Sequence, residues 1–151
     1  MKTIIRMFEH LYWANQRILE TLQNLDYNQK NKQTLKLFSH LLFAEQVWLN
    51  RLQGKDSSEL PIWGEIELAG CIELAKQNEK GFVEYLTSLQ GSDLDCRITY
   101  CNSMGEEFDT SIRDILSHIS LHGHYHRGQI NLRLRQDGLE PVSIDYITFV
   151  R

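Results

Sequence analysis

Along residues 2–25 the apolar positions Ile4, Ile5, Phe8, Leu11, Tyr12, Ile18, Leu19 and Leu22 recur at steps of three and four, with polar residues between them. That spacing follows the helical turn and predicts a first amphipathic helix. Residues 33–53, QTLKLFSHLLFAEQVWLNRLQ, are apolar around more than half of a helix's circumference, and Gly54 stands where a C-terminal stop belongs, so a second, central helix is expected. GKDSSELPIWG (54–64) then breaks the pattern with glycines, a proline and adjacent serines, and reads as a crossover loop. Leu68, Ile72, Ala75, Phe82 and Leu86, with a gap filled by Glu79, predict a third helix over 66–89 that Gly91 ends. CRITYCNSMGEEFDT suggests a small two-stranded hairpin. Ser111 and Asp114 form an S-x-x-D start for a fourth helix, about 111–137, with the stripe Ile112, Leu116, Ile119, Gly123 and Ile130 and with Gly138 and Pro141 closing it. Four long amphipathic helices predict an all-α four-helix bundle, in which sites are built from side chains pointing inward from facing helices.

Size and composition narrow the picture without naming a function. A chain of 151 residues, 42% apolar and 24% charged, has the size and balance of one globular domain, 1–151, able to bury a core unaided. A net charge of -4 and the lack of a Lys/Arg stripe interleaved with aromatics argue against nucleic acid. The charges scattered through MKTIIRMFEHLYWANQ argue against a signal peptide, and no apolar run approaches membrane-spanning length. Cys71, Cys96 and Cys101 are an odd set without CxxC spacing, so neither a disulfide framework nor a cysteine zinc site is expected; a reducing cytoplasm fits.

Candidate chemistry concentrates in SHISLHGHYHRGQINLRLRQDG (117–138), which holds four of the six histidines. At about 100° per residue, His126 falls inside the buried stripe of the fourth helix and His122 at its edge. His118 lies further round on the same side, and His124 points away. The i,i+4 pair His122 and His126 puts two imidazoles on one surface, as two ligands of one ion require, although satisfied core histidines would share that spacing. Of the other two, His40 lies among Leu37, Phe43 and Ala44 on the most apolar helix, whereas His10 reads as belonging to the polar side of the first. His40 alone would also fit an interfacial histidine bonded to a carbonyl or carboxylate.

The stretch SHISLHGHYHRGQINLRLRQDGLEPVSIDY resembles the C-terminal signature of the DinB family of metal-dependent enzymes, through His122, His126, Arg127, Gly128, Gln129, Gly138, Pro141 and the Asp145-Tyr146 pair. YWANQRILETL resembles the family's first helix and FSHLLFAEQVWLNRL its second. The resemblance implies an up-down-down-up bundle, a metal site of His40, His122 and His126, and a homodimer; His118 is kept as a neighbour of the ligands. Three imidazoles would leave a divalent ion, whether zinc, nickel or iron, with an open position.

Relatives of this fold include thiol-dependent transferases, which makes a metal-dependent S-transferase acting on a small-molecule electrophile with a low-molecular-weight thiol the first expectation. A metal-dependent hydrolase and a non-catalytic stress-related metal-binding protein are the alternatives. No catalytic acid or base is evident: Glu45, Asp114 and Arg127 read mainly as surface charges. The cysteines read as buried small residues or surface thiols. Trp13, Trp48 and Trp63 read as core or interface, with Trp63 in the crossover loop the candidate for lining a pocket.

Overall fold

The computed structural model describes residues 1–25, 32–102 and 104–151. It is mostly helical: α1 (Lys2–Asn24), α2 (Lys32–Leu52), α3 (Leu68–Ser88) and α4 (Ile112–Gln136) are long, and α5 (Tyr146–Val150) is a short C-terminal helix. A 3-10 turn, Gly91–Asp95, leads into an antiparallel hairpin of β1 (Arg97–Cys101) and β2 (Glu107–Ser111), in register from Arg97 opposite Ser111 to Cys101 opposite Glu107. No described helix is long and apolar enough to cross a membrane.

The long helices follow from their patterns. Gly54 and Gly138 take left-handed backbone (φ +67° and +74°) just beyond α2 and α4, as the expected stops require. At the start of α4 the Ser111 hydroxyl accepts from the Asp114 amide at 3.1 Å, which caps the helix. The third stripe is phased differently from its sequence reading. Cys71, Leu74, Asn78, Phe82 and Leu86 are buried, while Ile72 and Ala75 are only half-buried and Glu79 is exposed. The inward position in the gap belongs to Asn78. Gly91 opens the 3-10 turn instead of ending α3, which stops at Ser88.

Helix α2 packs against α3 and α4, and α1 against the same two. The apolar core falls into two clusters. One joins Ala14, Ile18 and Leu22 of α1, Phe38 and Leu41 of α2, Cys71 and Leu74 of α3, and Ile130 and Leu134 of α4. The other joins Ile4, Phe8 and Leu11 of α1, Leu49 and Leu52 of α2, Phe82 and Leu86 of α3, and Ile112, Ile115, Leu116 and Ile119 of α4. His10, expected on a polar face, is buried: its Nε2–H donates to the Ile144 carbonyl at 2.8 Å, and its ring meets Tyr146 and Phe149. The cover comes from the C-terminal segment, which returns over α1 and which helical spacing within α1 cannot reveal.

Candidate metal centre

In sequence terms a polar residue separates the two apolar clusters on α2, α3 and α4, namely Glu45, Asn78 and Arg127, and on α1 Asn15 stands just past the boundary, after Ala14. These four are buried and joined. The Asn15 amide donates to Glu45 Oε1 at 3.0 Å, the Asn78 amide to Glu45 Oε2 at 3.3 Å and to the Leu42 carbonyl at 2.8 Å, and Arg127 Nη1 to Asn15 Oδ1 at 2.8 Å. Burial lifts the Glu45 pKa to about 7 against the lowering effect of Asn15, Arg127 and Asn78. Burial likewise lowers that of Arg127 to about 10, with Glu45 opposing. Gly123 leaves room for the guanidinium: a Cβ there would stand 3.0 Å from Arg127 Nη1, a tight contact that would push it by a few tenths of an ångström. Glu45 and Arg127 are therefore core groups, not surface charges. A polar residue on an apolar stripe is the signal that marks this layer, and Asn15, among Leu11, Ala14 and Ile18, carries it most clearly.

One helical step from Arg127, His126 faces the seam between α2 and α4. There His40, His122 and His126 come together, each offering a nitrogen, all within 4.8 Å of one another. His40 and His126 are buried and His122 is half-buried. His126 Nε2 lies 3.1 Å from His122 Nε2, and the His40 ring stands edge-on to both, with centroids 4.7 Å from His126 and 5.6 Å from His122.

Neighbouring groups fix the tautomers. A carbonyl only accepts, so the 2.7 Å contact from His40 Nδ1 to the Ile62 carbonyl puts the proton on Nδ1 and leaves the Nε2 lone pair free. His126 Nδ1 donates to Gln129 Oε1 at 2.8 Å with the same result. Its contact with His122 is then either an N–H···N bond donated by His122 or two lone pairs turned to one cation. Burial first, then the neighbouring His126, His118 and His40, hold the His122 pKa down to about 4, so its ring is neutral near pH 7. Burial lowers His126 as well. Three converging imidazoles are a donor set that could hold a divalent ion.

The crossover loop completes the surroundings. Trp63, 60% exposed, stacks on His40 with ring centroids 3.6 Å apart and planes 7° apart, so this tryptophan does line the site. His118 lies beside His122 at 5.4 Å and against Trp48 at 5.2 Å, outside the trio. His124 is exposed and nearer His10. Asp114 is exposed and bonded to Ser111. Among the cysteines Cys71 is buried beside Ser39, and Cys96 and Cys101 are exposed.

Comparison with known proteins gives one consistent result. A solved structure, a DinB-like protein from Bacillus cereus ATCC 10987, has a similar fold with a TM-score of 0.66 over 95% of this chain and 96% of that one, at 17% identity. No curated protein sequence matches the chain. The family model for the DinB family matches residues 1–151. The likeness in structure speaks for the fold, the match in sequence for the kinship, and with that match running from the first residue to the last, the chain belongs to the DinB family.

Proposed function

We propose that the chain is a metal-dependent enzyme in which His40, His122 and His126 hold one divalent ion with a position left open, and that it works as a thiol-dependent S-transferase on small electrophiles. The observation that carries this reading is the convergence of three imidazole nitrogens, two of them with their other ring nitrogen already tied to an acceptor. The Ile62 carbonyl and the Trp63 ring orient His40, and Gln129 orients His126. The low pKa of His122 keeps it unprotonated and able to coordinate. The donor set suits zinc, nickel and iron alike. A bound ion of this kind lowers the pKa of a thiol or water at its open position and so supplies a nucleophile near neutral pH without a protein base. That accords with Glu45, a carboxylate five residues beyond His40, being engaged by Asn15 and Asn78 in the core.

The two core clusters support the family's up-down-down-up order. One gathers the early residues of α1 and α4 with the late residues of α2 and α3, and the other gathers the reverse. A homodimer belongs to the same reading, supported by Leu121, Tyr125 and Leu132, exposed along one side of α4. So does a cytoplasmic setting, where three free cysteines stay reduced.

The test is conjugation of a small thiol to a halogenated or epoxide electrophile by chelated and metal-reloaded protein. Turnover should require the metal and vanish in His126→Ala, with negligible hydrolysis when thiol is left out. Metal-dependent hydrolysis without thiol would instead identify a hydrolase. Failure of both reactions, with no spectral change when thiol is added to cobalt-substituted protein, would identify a metal-binding protein without turnover.

A further inference from the structure

A cavity of about 880 Å³ lies between the crossover loop and β1, with Trp63, which stacks on His40, in its wall. Its volume falls in the range of small-molecule sites, roughly 300–1,000 Å³. Two cations line it, Arg51 and Lys55. The acid among its described lining residues, Asp56, is engaged locally, accepting from the Ser58 amide and hydroxyl, both at 2.9 Å. The cavity therefore carries a positive bias in a chain whose net charge is -4.

Arg51 is held in place for recognition. Its guanidinium lies over Trp48 and Tyr100, 4.7 and 4.8 Å from the ring centroids, and Nη2 donates to the Cys101 carbonyl at 2.9 Å. Trp63 and Tyr100 supply flat apolar wall. Ile62 and Trp63 belong at once to the cavity lining and to the surroundings of His40, so an occupant would share a wall with that histidine.

We infer that this cavity binds a small organic carboxylate, its charged end at Arg51 and Lys55 and its apolar body along Trp63 and Tyr100. As a substrate site the inference rests on the function proposed above; as a binding site it stands alone.

The test uses phenylacetate and its uncharged counterpart phenylacetamide as probes, followed through the Trp63 indole N–H resonance, assigned with Trp63→Phe. Phenylacetate should shift the resonance saturably and bind about tenfold more tightly than the amide, the ratio one charge-assisted contact gives. The preference should fall with added salt and disappear in the double variant Arg51→Gln, Lys55→Gln. Because Arg51 also holds the hairpin, Lys55→Gln alone serves as the milder variant and should weaken phenylacetate by about threefold while leaving the amide unchanged. His126→Ala should keep the probe and lose the metal, so a failed metal site and a failed anion site give different results. No saturable phenylacetate shift, equal affinity for acid and amide, or full affinity in the double variant would overturn the inference.

Discussion

His126 and Arg127 are neighbours in sequence whose roles diverge because one helical step of about 100° separates them. The first faces the seam with α2 and joins the histidine cluster, and the second enters the core and bonds Asn15. Removing the second should be costly: Arg127→Ala leaves a cavity and takes the nearest positive charge from Glu45, for a loss of about 3 kcal/mol in urea unfolding. A change within a few tenths of a kcal/mol would mean that the buried layer contributes little. Glu45 gives a second prediction. Its pKa is raised from 4.5 to about 7 in the folded chain, so its contribution is fully present below the unfolded pKa and is lost as pH rises through 7. His122, lowered from 6.5 to about 4, acts in the opposite sense: its contribution is present above the unfolded pKa and lost as pH falls toward 4. His10, His118 and His126 are lowered in the same direction, largely by burial. In metal-free protein the two effects oppose each other between about pH 4.5 and 6.5. Glu45→Gln removes the carboxylate's share, so its urea midpoint should fall more steeply than the wild type's on acidification through that range. Parallel pH profiles would contradict the placement of Glu45.

At the scale of elements, α4 carries two of the three clustered histidines and is the most legible segment. Its stripe Ile112, Leu116, Ile119, Gly123 and Ile130 is buried as its spacing implied, with His126 inside and His122 at the edge. Its cap is a simple target: Ser111→Ala deletes the acceptor for the Asp114 amide and should cost about 1 kcal/mol, measurable in urea, with metal affinity kept once the protein is folded. A larger loss that also abolished metal binding would mean that the cap holds the site itself. The fourth helix is readable because its apolar face is continuous and the spacing of His122 and His126 lies within one element. The third was misphased because Asn78, a polar residue, occupies an inward position and the half-buried Ile72 and Ala75 imitate a stripe. The same blindness hid Asn15, Glu45 and Arg127 as a connected layer. Burial of His10 depends on residues 134 positions away, and α5, five residues long, is too short for any periodicity to announce. The loop position of Trp63 marks it in the sequence, but its stacking on His40 depends on how the crossover loop returns to α2.

For the whole molecule, two apolar clusters drawn from all four long helices should sustain the fold without an ion. Chelated protein is expected to keep its helical circular dichroism at 25 °C, and complete unfolding on chelation would refute that. If Leu121, Tyr125 and Leu132 form an interface, light scattering should give twice the chain mass, and Leu121→Glu with Leu132→Glu should return it to the mass of one chain. A wild type that scatters as one chain would dismiss the dimer and leave the histidine cluster, which lies within one chain, unaffected. The central claim is that His40, His122 and His126 act together as one metal site. Its most direct measurement is the metal content, by elemental analysis, of protein purified without an affinity tag, for the wild type and for His40→Ala, His122→Ala, His126→Ala and His124→Ala. The account predicts one divalent ion per chain in the wild type and in His124→Ala, and a sharp loss in each of the other three. Equal loss in all four variants, or no loss in any, would contradict it.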